Sequence, residues 1–249
     1  MDEQTLRNVA EIIRDSKYCM AFTGAGVSVE SGIPPFRGKN SIWTRYDPII
    51  LDLTYFENYP EASWPVIKEI FYDFFGKAKP NKAHEVLARL EDKGILKCVV
   101  TQNIDNLHQE AGSNCVYEFH GNSHQLVCMA CEDKQTVDQV DLSLLPLKCA
   151  KCGGLVKPDF IFFGERIPEE AYHKSLEAAR KADVCLVIGS TGEVMPAAMI
   201  PREARRNGAV IIEINPEDSF FTREVTHIHL QGSAGIVLAE LEKHLFKSL

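Results

Sequence analysis

Residues 21–38 read AFTGAGVSVESGIPPFRG, and this stretch sets the expected fold. The apolar run Cys19 to Phe22 leads directly into Gly24-Ala25-Gly26, a strand end whose glycines let backbone amides come close to a pyrophosphate. The third glycine of a GxGxxG fingerprint is missing, because Val29 stands in its place. A tight connection between two elements explains such a turn equally well, so strand ends elsewhere in the chain have to decide. The turn also runs on into Pro34-Pro35-Phe36-Arg37, which dinucleotide fingerprints do not contain.

Upstream, Leu6, Val9, Ala10, Ile12 and Ile13 recur at helical spacing, which predicts an amphipathic helix over residues 4–16. Downstream, the apolar runs LKCVVT (96–101), VYEF (116–119), DFIFF (159–163), VCLVIG (184–189) and AVIIEI (209–214) read as buried strands. Helical patterns over Asn81 to Lys93, Glu169 to Lys181 and Pro196 to Asn207 separate several of them. Buried strands alternating with helices predict a mostly parallel, doubly wound α/β sheet, since parallel neighbours need long crossovers. Two stretches break the alternation: aromatic-rich Asn40 to Lys79, expected to be helical, and His124 to Leu155, which holds paired cysteines. They read as insertions forming a smaller lobe.

A chain of 249 residues accommodates one large module and one small one. With 45% hydrophobic and 25% charged residues, and no apolar run of about 18 residues, it does not read as a membrane protein. The polar, acidic start lacks the pattern of a signal peptide, so a cytoplasmic location is expected. A net charge of −8 without a block of Lys and Arg repels a phosphate backbone, and nucleic acid is not an expected direct ligand.

Of the eight cysteines, Cys19, Cys98, Cys115 and Cys185 lie singly in or near apolar stretches, where a thiol behaves as a small hydrophobe. The others form CMAC (128–131) and CAKC (149–152), two CxxC pairs seventeen residues apart, the spacing of a structural zinc site. A redox CxxC is the competing reading, but such motifs occur as one pair beside a βαβ unit. Cys128, Cys131, Cys149 and Cys152 as four thiolates leave zinc no open position for water or substrate, so the metal is expected to be structural.

Other strand ends carry polar residues that a parallel sheet delivers to one crevice beyond its carboxyl edge. They are Gly189-Ser190-Thr191, Asn215-Pro216-Glu217, TQNIDNLH (101–108) with Gln102, Asn103 and Asp105, and EFHGN (118–122) with His120. His120 titrates near neutrality and suits a general base, although a structural histidine is the plainer reading of it alone. Asp105 could equally cap the next helix, and His84 and His108 read as structural.

Together GAGVSVESGIPPFRG, TQNIDNLH, EFHGN, the CxxC pairs, KPDFIFFGE and the GST and EINPE strand ends resemble the sirtuins over essentially the whole chain and in order. The resemblance implies a Rossmann-like NAD-binding domain of residues 1–39, 80–122 and 156–249. It also implies a small lobe of residues 40–79 and 123–155, combining a helical insertion and a zinc ribbon. It implies NAD-dependent protein lysine deacylation, in which the acyl group passes to ADP-ribose, nicotinamide leaves, and NAD is a co-substrate rather than a hydride carrier. His120 is then the base, with Asn103 and Asp105 in the catalytic set. Gly24, Ala25, Gly26, Val29, Phe36, Arg37, Gln102, Asn103, Ile104, Asp105, Gly189, Ser190, Thr191, Asn215 and Ala234 would contact NAD. Ile161, Phe163, Gly192 and Val194 would line the acyl-lysine site, with the peptide adding as a strand along Ile161 to Gly164 and Gly192 to Met195. The implied partner is an acyl-lysine protein or peptide, with no membrane and no required oligomer. Mono-ADP-ribosyl transfer and a non-catalytic NAD- or acyl-lysine-binding module remain as alternatives.

Two departures bear on specificity. Succinyl-selective members carry a Tyr and an Arg three apart in the helical insertion, where this chain aligns Ile67 and Ile70. That argues for neutral acyl groups. The hydrophobic residue usual after the Thr/Ser pair is here Gly192, followed by Glu193, which predicts a looser wall of the peptide cleft.

Overall fold

The computed structural model describes residues 2–36 and 41–246. In chain order its strands are β1 (Cys19–Thr23), β2 (Leu96–Thr101), β3 (Val116–Glu118), β4 (Gly121–Cys128), β5 (Lys134–Thr136), β6 (Val156–Phe160), β7 (Val184–Ile188), β8 (Val210–Asn215) and β9 (Ile228–Gln231). Among the described residues, β3-β2-β1-β7-β8-β9 form a six-stranded sheet in which every neighbouring pair is parallel. Counted within that sheet the order is 3-2-1-4-5-6, so the winding reverses between β1 and β7. Such a reversal opens a crevice at the carboxyl ends of the two strands.

The helices are α1 (Glu3–Asp15), α2 (Leu53–Asn58), α3 (Pro60–Ile67), α4 (Lys82–Asp92), α5 (Leu107–Glu110), α6 (Glu169–Lys181), α7 (Met199–Arg206), α8 (Phe220–Glu224) and α9 (Ala234–Leu245). The period of two along each strand divides its side chains between two helical layers. Cys19 and Ala21 of β1 join Leu186 and Ile188 of β7 under α1, α4 and α9. Met20 and Phe22, with Cys185 and Val187, pack under α6 and α7. Every residue of β1 and of β7 is buried, as expected of strands covered on both faces. In α1 the spacing read from the sequence buries Leu6, Val9, Ala10 and Ile13, and Asp2 caps the helix by accepting from the Thr5 amide at 2.8 Å.

The run DFIFF departs from expectation. It does not enter the parallel sheet: β6 pairs antiparallel with β4 in a separate three-stranded sheet of order β5-β4-β6. No helix lies between the second CxxC turn and β6, so the chain has no crossover to carry it back to a parallel neighbour. Residues 42–77 fold as short helices over an apolar cluster that includes Phe56, Trp64, Ile67, Ile70 and Phe71. The buried Trp64 indole donates to the Val156 carbonyl at 3.0 Å, fastening this helical insertion to β6. Among the described residues, no helix is long and apolar enough to cross a membrane.

Candidate active site

The glycine turn after β1 lies against the turn after β7. The Gly24 amide donates to the Ile188 carbonyl at 3.0 Å and the Gly26 amide to the Gly189 carbonyl at 2.9 Å. A Cβ on Gly26 would fall 2.6 Å from Gly189 Cα, and one on Gly24 2.8 Å from Gly189 O. These glycines are therefore required by the chain's own close approach, whatever else the turn binds. Val29, at the position of the absent third glycine, is 46% exposed on a short seven-residue helix, Ala25–Ser31, that continues from the turn.

On the adjoining strand ends the polar side chains hold one another. Gln102 Nε2 donates to Ser190 Oγ at 2.9 Å, and Asn215 Nδ2 donates to the Ser190 carbonyl at 3.1 Å. Asn215 Nδ2 also reaches Glu213 Oε1 at 2.8 Å. Burial would raise the Glu213 pKa, but hydrogen bonds from Ser219, Thr226, Asn215 and Thr222 outweigh it and keep the carboxylate below its ordinary value. Ser190 and Asn215 are each 7% exposed, and Ala234 begins α9 almost fully buried. Thr191 is exposed at the rim.

A second network lies beneath β1 and β2. Ser28 Oγ donates to Asp105 Oδ2 at 2.6 Å and accepts from Asn103 Nδ2 at 3.1 Å. His84 Nε2 lies 3.4 Å from the same hydroxyl, while its Nδ1 accepts from the Asn81 amide at 3.2 Å. Asp105 Oδ1 accepts from the Leu107 amide at 3.1 Å, so the carboxylate, one residue before the Asn106 cap, meets the first amide of α5 and also belongs to the cluster. His108 Nε2 meets Thr23 Oγ1 at 2.9 Å, and burial pushes its pKa well below that of an ordinary histidine. Read as structural, His84 and His108 are fully buried, yet they sit directly behind the groups that face the crevice.

In front of this network is a narrow pocket, with room for about one water molecule, lined by Ala25, Ser28, Ile33, Phe36, Phe75, Asn103, Ile104 and Asp105. Ser28, Ile33 and Phe75 were not among the expected site residues. Ser28 and Ile33 belong to the opening stretch itself, whereas Phe75 arrives from the helical insertion and has no local motif. Arg37 lies outside the described residues.

His120 occupies the join between the sheets, after β3 and immediately before β4. Gly121 permits the join: its φ is 71°, and a Cβ there would fall 2.2 Å from Asp159 O. The imidazole Nδ1 is 3.0 Å from the Gln102 carbonyl, which can only accept, so Nδ1 carries the proton and Nε2 is left with its lone pair. Burial lowers the His120 pKa, against the opposing hydrogen bond to Gln102, and favours this neutral form.

Past β6, the Ile161 amide donates to the His120 carbonyl at 2.9 Å, and Phe163 is 55% exposed. The Phe163 carbonyl accepts from Leu53 at 3.1 Å, and its amide donates to Leu51 at 2.8 Å. The Val194 carbonyl accepts from Ala198 at 2.9 Å. These main-chain groups are thus already engaged within the chain, which narrows the expected strand addition to the remaining groups of the two segments. Gly192, expected to loosen a wall, is packed closely: its φ is 77°, and a Cβ would meet the Phe221 ring at 3.0 Å.

The cysteine pairs converge. The sulfurs of Cys128, Cys131, Cys149 and Cys152 all lie within 4.8 Å of one another. The closest separations are 3.4 Å for Cys131 and Cys152, 3.5 Å for Cys128 and Cys152, and 3.7 Å for Cys131 and Cys149. A tetrahedron with Zn–S near 2.3 Å has edges of about 3.8 Å, so the donor set fits a four-thiolate zinc ion. Gly154 permits the approach, since a Cβ there would lie 3.1 Å from Cys128 Sγ and 3.2 Å from Cys152 Sγ.

Residues 24–196 match the family model described as the Sir2 family. The chain is 41% identical over 251 residues to NAD-dependent protein deacylase 1 of Archaeoglobus fulgidus, covering 100% of each chain. It is similar to a solved Sir2 homolog–NAD complex, with a TM-score of 0.90 and 40% identity over 100% of this chain and 95% of that one. It is also similar to a Sir2 structure holding a deacetylated p53 peptide and 3'-O-acetyl ADP ribose, with a TM-score of 0.87 and 32% identity, covering 96% of this chain and 97% of that one.

Proposed function

The chain belongs to the Sir2 family, and from that premise we infer that it is an NAD-dependent protein lysine deacylase. It transfers the acyl group from lysine to ADP-ribose and releases nicotinamide. The observation that carries the inference is the placing of His120: a neutral imidazole with Nε2 free, tied through Gln102 to the strand end that also supplies the pocket residues Asn103, Ile104 and Asp105.

NAD supplies the ribose carbon that loses nicotinamide and the hydroxyl that receives the acyl group. In this reading Asn103 and Asp105, with Ile104 and Phe36, form the nicotinamide end of the site, where the Ser28 network fixes the amide before any ligand enters. Gly24, Ala25 and Gly26 present the turn to the phosphates, with Arg37 assigned to the same task. Val29, Gln102, Gly189, Ser190, Thr191, Asn215 and Ala234 complete the nucleotide's surroundings at the carboxyl edge. His120 Nε2 takes the proton of the ribose hydroxyl, and the Gln102 carbonyl steadies the positive charge that the ring then carries. Ile161, Phe163, Gly192 and Val194 border the acyl-lysine. Cys128, Cys131, Cys149 and Cys152 hold a structural zinc ion that takes no part in the chemistry. Ile67 and Ile70 are buried in the core of the helical insertion and bring no charged group toward the acyl-lysine, and the preference for neutral acyl groups over succinyl rests on that lack of a carboxylate partner.

Mass spectrometry of the zinc-loaded protein with NAD and acetyl-, succinyl- and myristoyl-lysine peptides tests the reading. Nicotinamide and an acyl-ADP-ribose are the expected products, with the succinyl peptide the poorest substrate. Label passing from NAD to protein without deacylation identifies an ADP-ribosyltransferase instead, and no nicotinamide from any peptide leaves only a binding module.

A further inference from the structure

Lys157 is a charged side chain in the interior. It lies on β6, is 4% exposed, and carries no part of the function described above. Its Nζ donates to the carbonyls of Pro158 and Phe160, each at 2.9 Å, and lies 3.1 Å from Glu165 Oε2. The ammonium also stands 4.7 Å from the centroid of the Phe162 ring. Burial lowers the Lys157 pKa, with the Glu165 carboxylate acting in the opposite direction. An ammonium in such a place is tolerated only when its donors and its charge are met, and here they are.

What they hold is the bend after β6. Glu165 Oε2 accepts from the Phe162 amide at 2.6 Å, and the Glu165 amide donates to the Phe162 carbonyl at 3.0 Å. Those bonds close residues 162–165 into a turn around Gly164, whose φ is 95°. On either side of Phe162 the backbone is tied outward, through the Ile161 amide to His120 and through Phe163 to Leu51 and Leu53. The Lys157–Glu165 pair is thus the internal brace of the segment that presents Ile161 and Phe163.

We propose that Lys157 is a positioning residue for acyl-lysine recognition: its ammonium, bridging the β6 carbonyls and Glu165, fixes the 161–164 turn at the height where Phe163 meets the substrate. This rests on the deacylase reading and on the assignment of Ile161 and Phe163 to the acyl-lysine site. Lys157 touches neither the glycine turn nor the Ser28 network, so its loss is felt by the peptide and not by NAD.

The test compares Lys157→Met, Lys157→Arg and Glu165→Gln in the zinc-loaded protein, measuring KM for an acetyl-lysine peptide and for NAD separately. Lys157→Met is expected to raise the peptide KM about tenfold and leave the NAD KM within about twofold, the signature of lost substrate binding. Lys157→Arg, which keeps the charge, is expected to stay within about threefold of the parent for both. Equal changes in both KM values, no change in either, or an Arg variant as impaired as the Met variant overturns the proposal. Should Lys157→Met fail to fold, Glu165→Gln is decisive: a raised peptide KM supports the brace and an unchanged one overturns it. A parent protein that binds NAD but deacylates nothing sinks the deacylase reading alone. Amide exchange then reads the brace: faster exchange at Phe162 and Phe163 in either variant supports it, and unchanged exchange overturns it.

Discussion

The rim of the parallel sheet and the cysteine cluster both crowd polar atoms into a small space, and they resolve the crowding in opposite ways. At the rim, Ser28, His84, Asn103 and Asp105 spend their donors and acceptors on each other. The groups are fixed in advance and line a narrow pocket together with Phe36 and Ile104. In the cluster, four sulfurs point at a common centre with the spacing of a tetrahedron's corners. Nothing is left over there for a substrate. A preorganised rim suits chemistry, whereas a convergent cluster suits fastening.

The largest way to break this contrast is to remove the metal. Structural zinc contributes about 10–16 kcal/mol in small zinc-dependent peptides, so chelation is expected to dismantle the β4-β5-β6 sheet. Amide exchange should show that sheet losing protection while β1, β7 and β8 keep theirs. Equal loss in both sheets would mean that the cluster supports the rim as well. Next comes His120→Ala, expected to lower kcat by about 10²- to 10⁴-fold with the melting temperature and NAD affinity nearly unchanged. A fully active variant removes His120 as the base, and a cooperative loss of stability makes it a structural residue.

The smallest effect concerns acid. Burial holds the His84 pKa at about 4 against an ordinary 6.5, with Asp105 and Glu30 opposing the shift. The unfolded chain therefore binds the proton more readily, and the stability this histidine contributes is present above pH 6.5 and lost as the pH falls toward 4. Urea titrations at pH 7.5 and 4.5 should differ by roughly 2–3 kcal/mol from this group, a loss that His84→Asn should reduce. The acid limb of kcat/KM should lie below 6.5, because burial lowers the pKa of His120 in the same direction. An acid limb above that value contradicts a neutral, buried base.

Much of this is legible in the amino-acid sequence. Apolar runs separated by helical patterns gave β1, β2, β7 and β8 because strands buried on both faces need no alternation. The four cysteines were readable because metal ligation imposes a local spacing. The strand β9 passed unnoticed, since His229 and Gln231 interrupt its apolar character at the edge of the sheet. The contribution of Phe75 to the pocket was equally hidden, as it depends on how the helical insertion docks against Phe36. Lys157 gave no signal either, because the charge that marks a residue as exposed in sequence is here met by carbonyls and Glu165 that only folding assembles.

The short join at His120 has a mechanical consequence. The edge strand β3 of the parallel sheet stops at Glu118 and β4 of the second sheet starts at Gly121, so Phe119 and His120 alone join these two strands. A tilt of β4 about that join would carry Cys128, at the far end of the strand, further than the ring of His120. The metal-binding corner can then give a little while the imidazole keeps its place.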